Sequence, residues 1–443
     1  MPSSVPSAQH LMKPGSTAPP DAGLLRVVGR WDMVALVING IVGAGIFGLP
    51  AKVHSLVGAW GIVAIVACAA MMALIVFCFA EVSSRFTQTG GPYVYAAEAF
   101  GPFTAFVVGW LLWLARVTGL CAISAVMVEY LSLVVPSLAG GAWRAVFLIC
   151  LIGGLGLLHI RGTRGVTRFS GAITIAKLTP LLIFVAVGLP AIDFHRLNFT
   201  ATPSRAGFSS AVLLLAFALV GWENAAIAAG EVRDPRRDTP FALLTGLSLV
   251  VALYVGIQFV CAGTLPGLAT SQRPLADAAL QFMGPSGAAL IVAGAAISIL
   301  GTLNAGILAI SRVPFAMAEA NQLPRALARL HPEFRTPVLS IVVSCVTVLL
   351  LTLSRGHIYL LTLSTISRLF VFAVTIAALP VFRKRPNMSP ALFSLPGGLA
   401  IPLIALGLIV WLLTGTSLKE TRDVVIATAA GALIYLVASR RGA

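Results

Sequence analysis

Long apolar stretches follow one another from Trp31 almost to the C-terminus, separated by short polar loops. A bilayer-spanning helix needs about 20 apolar residues, and these stretches supply them repeatedly. The expected class is an all-α polytopic membrane protein with 12 transmembrane helices. The spans are read at residues 31–55, 59–82, 100–133, 143–159, 166–190, 208–230, 240–263, 286–318, 337–353, 358–381, 399–415 and 424–439. The third and eighth are long enough to tilt or to extend beyond the bilayer. Only 10% of the 443 residues are charged, against about 25% in soluble domains. The net charge of +15 does not imply nucleic acid, because the basic residues lie in short loops rather than on one face of a soluble domain.

Lys and Arg set the expected orientation. The denser set includes Arg26, Arg30, Arg161, Arg164, Arg168, Arg233, Arg236, Arg237, Arg383, Lys384 and Arg385, and it is placed inside. The sparser set, with Lys52, Arg144, Arg196, Arg205 and Arg273, is placed outside. Both termini are then cytoplasmic, in a bacterial inner membrane. Residues 1–28 read as a disordered cytoplasmic tail without signal-peptide character. All six cysteines (Cys68, Cys78, Cys121, Cys150, Cys261 and Cys345) fall in apolar segments without metal-ligand spacing and are expected to be buried filler.

The first span contains Gly40, Gly43, Gly45 and Gly48. Each glycine costs about 1 kcal/mol of helix propensity relative to alanine. Such a cluster suits a helix that stops, opens and restarts, and open backbone at membrane depth is tolerated where it lines a cavity or is buried. The sixth span repeats the peculiarity, with Gly221, Glu223 and Asn224 in mid-span. Spans 1 and 6 begin two sets of five, and an odd number of spans inverts the second set relative to the first. Matched interruptions in inverted halves point to a secondary transporter's binding site. The expected organisation is a 5+5 inverted repeat with helices 1 and 6 broken: residues 29–190, residues 206–385, and two extra C-terminal helices in 396–443.

The run Gly40-Ile41-Val42-Gly43-Ala44-Gly45-Ile46-Phe47 resembles the first-helix motif of the amino acid–polyamine–organocation superfamily. Gly90-Gly91-Pro92-Tyr93-Val94-Tyr95, Phe100-Gly101-Pro102, the loop Glu231 to Pro240, and Arg312 through Pro324 resemble further motifs of that family in the right order. The resemblance covers about Trp31 to Arg385. It implies a LeuT-type fold, alternating access and an amino acid substrate.

Helix N-termini attract carboxylates. By resemblance to arginine/agmatine antiporters of the superfamily, Gly43, Ala44 and Gly45 would hold the substrate α-carboxylate. The carbonyls of Ile41, Phe217 and Val220 would accept from its ammonium. Lys177 is a coupling candidate, since a mid-span lysine costs about 2.5 kcal/mol or more. In sodium-independent members a lysine at the matching place fills the sodium site and bonds the carbonyls of the first break. Glu223 is the second coupling candidate, read as one turn beyond the sixth-span break and as the one carboxylate well inside an apolar span. Arg116, mid-span in helix 3, either pairs with Glu223 or contacts substrate. Arg368 is expected to satisfy backbone carbonyls. Leu120, Phe217 and Asn304 are expected pocket walls. The loop Glu231 to Pro240 reads equally as a solvated turn or as a source of gate ion pairs.

Some chemistry is absent from the sequence. It shows no Walker A motif and no catalytic constellation, so an enzyme, a cofactor and a metal are not expected. The loop between spans 3 and 4 has no cysteine, so a disulfide-linked heavy chain is not expected. The expected function is sodium-independent amino acid transport, coupled to protons or to a counter-transported amino acid, by a monomer or homodimer. The alternatives are a polyamine or organocation antiporter of the same fold, and a non-transporting amino acid sensor. Arg116, Lys177 and Arg368 against Glu223 argue against a dicationic substrate.

Overall fold

The computed structural model describes residues 24–43, 45–132, 135–200, 202–354, 357–386, 388–414 and 418–441. Fifteen α-helices run through them. They are α1 (Arg30–Ile41), α2 (Gly45–Val57), α3 (Gly61–Ser83), α4 (Pro92–Phe100), α5 (Pro102–Ser132), α6 (Gly141–Ile160), α7 (Thr163–Gly188) and α8 (Arg205–Ala218). There follow α9 (Glu223–Ile227), α10 (Pro235–Thr264), α11 (Pro274–Glu319), α12 (Val338–Ser354), α13 (His357–Lys384), α14 (Ala400–Thr414) and α15 (Leu418–Arg441).

Local chemistry explains many of the boundaries. Four helices, α4, α5, α10 and α11, begin on a proline, whose missing N–H is an orphan at that position in any case. The Ser204 hydroxyl caps α8 by accepting the Gly207 N–H at 3.0 Å. Gly284 has φ +69° and kinks α11, so the eighth apolar stretch starts at the proline beyond it.

Seven helical stretches are long and apolar enough to cross a membrane, and three shorter apolar helices accompany them. The chain is a multi-pass membrane protein. The first and sixth apolar stretches are each split in two, which leaves α1, α2, α8 and α9 individually short. The bundle centre is built on α5, packed against α13, α11 and α12, and on α1, packed against α10, α7 and α11. Helix α6 lies at the periphery, with Trp143, Val146, Ile149 and Leu157 exposed. Cys150 shares that outward face. It is therefore surface-facing rather than the buried filler its apolar context implied, whereas the other five cysteines are buried.

One end of the bundle is closed by polar pairing. Val28 and Val232 form a parallel bridge, through Val28 N–H to Glu231 O and Arg233 N–H to Val28 O, each 3.0 Å. Arg30 pairs with Asp238 at 2.8 Å and lies 4.8 Å from the Phe241 ring centroid. The Glu231 carboxylate is fully buried against Arg312. Glu81, also fully buried, takes Arg383 at 2.6 Å and Arg85 at 3.5 Å. The segment from Glu231 to Pro240 combines both readings: Glu231 and Asp238 are buried in ion pairs, while Arg233, Asp234 and Arg237 are exposed. Glu223 lies mid-stretch, and it is not alone in being buried. Glu81 and Glu231 join it because each sits near a helix end within reach of arginines from other helices.

Removing one partner of a buried pair strands the other charge, at a cost of about 3–5 kcal/mol. Arg312→Met is expected to lower the thermal unfolding midpoint of the purified protein. Combining it with Glu231→Gln should recover part of the loss, which a double-mutant cycle on the melting data checks.

Candidate functional site

Helix α1 ends at Ile41 and α2 restarts at Gly45. The backbone leaves helical geometry at Val42, with φ −75° and ψ +91°. Ala44, assigned to the substrate carboxylate, lies outside the described residues. In the sixth stretch α8 ends at Ala218 and α9 begins at Glu223. Gly221 has φ +117°, a conformation that side-chain-bearing residues rarely adopt.

The two openings touch. A Cβ on Gly40 would collide with the Gly221 carbonyl oxygen, and a Cβ on Gly221 would collide with the Gly40 carbonyl. Gly40 is therefore not part of the opening: it lies inside α1 and permits backbone contact. Gly48 lies in α2 facing open space. Of the glycine cluster, only Gly43 sits in the break, with Thr302 Oγ1 at 3.0 Å from its ideal Cβ position. Gly45 begins α2 and faces Ala218. Ile41 N is 3.1 Å from the ideal Cβ position of Gly221, so Ile41 borders the second opening. Its carbonyl accepts the Tyr254 hydroxyl at 3.3 Å.

Lys177 is completely buried. Its Nζ donates to the Val42 carbonyl at 2.7 Å and to the Ile38 carbonyl at 3.3 Å. The Val42 carbonyl is released where α1 stops, whereas the Ile38 carbonyl also accepts the Val42 N–H at 2.8 Å. Ser298 Oγ at 2.9 Å and Thr302 Oγ1 at 3.1 Å donate to the same Val42 oxygen. Three donors thus converge on an acceptor with two lone pairs. Close by, Asn39 ties α1 to α7, donating to Ser170 O at 3.0 Å, Ser170 Oγ at 2.8 Å and Thr174 Oγ1 at 2.7 Å. Position holds the lysine in place as much as charge does: the break is anchored to α7 by Asn39 and Lys177, and to α11 by Ser298 and Thr302.

Glu223 is the first residue of α9, at the break itself rather than a turn beyond it. Its Oε2 accepts the Gly221 N–H at 2.8 Å. Its Oε1 faces Arg116 Nη2 at 2.9 Å and Arg368 Nη1 at 3.0 Å. The carboxylate is an acceptor in every one of these contacts, which suits its ionised form. Arg368 meets this carboxylate and not simply backbone carbonyls, because α13 packs directly on α5 and brings its guanidinium alongside Arg116.

The remaining candidates are dispersed. Val220 is half-buried in the second opening. The side chain of Phe217 lies outside the described residues. Leu120 packs onto Gly306 of α11, where a Cβ would meet its side chain. Asn304 is buried with its side-chain oxygen 3.1 Å from His159 Nε2, which is also 3.1 Å from the Asn304 carbonyl. Two oxygen acceptors place the proton on Nε2. The Asn304 amide oxygen is thus engaged with α6, while its Nδ2 has no hydrogen-bond partner among the described residues. His159, Asn39 and Tyr254 went unread because each is a single polar residue in an apolar stretch, and its partner is distant in sequence.

Residues 28–438 match the family described as Amino acid permease. The chain is 29% identical over 427 residues to a serine/threonine exchanger, SteT, of Bacillus subtilis (strain 168), covering 90% of this chain and 93% of the relative. It is 28% identical over 440 residues to a methylthioribose transporter of the same organism, covering 94% of each. An uncharacterized transporter of Mycobacterium tuberculosis (strain ATCC 25618 / H37Rv) is 30% identical over 321 residues, 71% of this chain and 70% of the relative. The family and these relatives are transporters rather than enzymes. With broken helices meeting backbone to backbone and the family match running almost end to end, the chain belongs to the amino acid permeases of the amino acid–polyamine–organocation superfamily.

Proposed function

We propose that this permease is a sodium-independent secondary amino acid transporter. It works by alternating access and couples to protons or to a counter-transported amino acid. The observation that carries this reading is the Lys177 ammonium on the Val42 carbonyl, flanked by Ser298 and Thr302 hydroxyls. A tethered cation there does the work that a bound metal cation would do for exposed carbonyls. Lys177 is the leading coupling residue, because its contacts are to carbonyls alone and loss of its proton leaves no stranded carboxylate. Glu223 becomes available for protonation only when Arg116 and Arg368 withdraw from it.

The substrate zwitterion is assigned to the two openings. Its carboxylate would sit at the start of α2, on the N–H groups of Gly43, Ala44 and Gly45. Its ammonium would bond carbonyls of Ile41, Phe217 and Val220. Leu120, Asn304 and Arg116 stand on the side-chain end of this site. Exchange is favoured by the similarity to the serine/threonine exchanger. The methylthioribose relative supplies the second reading, a polar solute without an amino acid backbone, which competition by that sugar thioether checks.

The proposed architecture is twelve spans in a 5+5 inverted repeat, set in the inner membrane with both termini cytoplasmic. Helix pairing supports it. Under the repeat, α5 against α13 corresponds to α11 against α7, α1 against α10 to α8 against α3, and α5 against α12 to α11 against α6, and all six pairings occur. In this reading the ion-paired end, where Val28 meets Val232 and Arg30 meets Asp238, would serve as the inner gate.

Three outcomes are expected in reconstituted vesicles. Amino acid uptake should persist when sodium is replaced by choline, and an absolute sodium requirement would refute the coupling claim. Lys177→Met should flatten the dependence of uptake on pH while the protein is still inserted and folded, as judged by gel filtration. Gly40→Ala should reduce uptake by at least about tenfold, because its Cβ forces the two openings apart. Wild-type rates for that variant would show that the contact is dispensable.

A further inference from the structure

Beside the two openings lies a charge imbalance that the zwitterion site does not use. Arg116, Arg368 and Glu223 are 3%, 9% and 0% exposed. Two guanidiniums share one carboxylate oxygen, at 2.9 and 3.0 Å. The other oxygen is already occupied by the Gly221 N–H. Glu223 carries a single negative charge against two guanidiniums, so the three side chains sum to one net positive charge. An arginine does not relieve this by losing its proton. Among the described residues, Arg116 Nε and Arg368 Nε lack hydrogen-bond partners.

The cluster has a shape as well as a charge. Arg368 Nη2 stands 3.1 Å from the ideal Cβ position of Gly119, and Ser364 Oγ stands 2.9 Å from it. A side chain at that position would crowd the guanidinium. Ser364 Oγ donates to the Ala115 carbonyl at 2.6 Å, and as a neutral hydroxyl it supplies no charge to balance the arginines. The carboxylate they share belongs to the first residue after the second opening, so unpaired guanidinium N–H groups border the place assigned to the substrate.

Resting on the transporter reading above, we propose that the solute is an anionic amino acid. Its side-chain carboxylate completes the Arg116–Glu223–Arg368 cluster. The α-carboxylate and α-ammonium cancel on the two openings, and the third charge of a glutamate- or aspartate-like molecule cancels the surplus guanidinium. A serine- or threonine-like solute leaves that charge uncompensated at membrane depth, where unpaired ions are most costly. The site thereby rejects neutral amino acids by what it leaves unpaired as well as by what it binds.

The test is uptake of labelled L-glutamate, L-aspartate, L-serine and L-threonine by the full chain in vesicles, in chloride and in gluconate buffers. The acidic pair should be favoured in kcat/KM by at least about tenfold, with no dependence on chloride. Arg116→Met and Arg368→Met should each raise KM for the acidic substrates more than for the neutral ones. The wild-type panel decides the matter even where a variant fails to fold. A preference for serine or threonine would overturn this inference and leave the transporter reading standing. So would neutral uptake that collapses without chloride, since it would assign the anion site to an inorganic ion. Binding without flux, or no response to any amino acid, would overturn the transporter reading itself.

Discussion

The architecture depends on backbone meeting backbone at Gly40 and Gly221. Opening a helix at membrane depth frees N–H and C=O groups that lipid does not satisfy. Two openings placed against one another shelter those groups inside protein and keep them within reach of a solute. The contact is so close that neither position tolerates a β-carbon, and Gly221 also needs its positive φ. Each glycine therefore answers a geometric demand made by the other.

Charge buried around this contact is handled in two ways. Lys177 donates to backbone carbonyls and is held by their dipoles where α1 stops. Such a group changes protonation without stranding an opposite charge. The arginines are treated differently. Their two permanent charges face Glu223, whose single negative charge balances only one of them. The lysine side of the first opening is thus suited to a reversible change of charge, and the arginine side carries a fixed field, which in the proposed mechanism a solute would match.

The paired end adds a third use of charge. Glu81 and Glu231 are buried where α3, α11 and α13 finish, each against an arginine from another part of the chain. Arg30 and Asp238 are more exposed and hold the start of α1 to α10. Buried pairs keep the helix ends in register, while the exposed pair and the single Val28–Val232 bridge are the weaker links. An opening motion at this end would begin there.

Sequence alone determined the class of this protein, because long apolar stretches with basic loops have few ways to fold in water or lipid. It also located the first opening to within a residue or two, since Gly43 and its neighbours disfavour helix locally. It marked Lys177 and Glu223 as costly at membrane depth, and it offered Arg116 as a partner for Glu223. Tertiary structure alone decided that Gly40 serves contact rather than opening, that Arg368 joins Glu223, and that Asn304 turns to His159. It also decided that Glu231 and Arg312 form a buried pair. Helix breaks and desolvation penalties belong to single residues and their near neighbours, so they leave a mark in the sequence. Partner choice among polar groups more than a hundred residues apart depends on which helices pack together, and no local pattern of residue types encodes that.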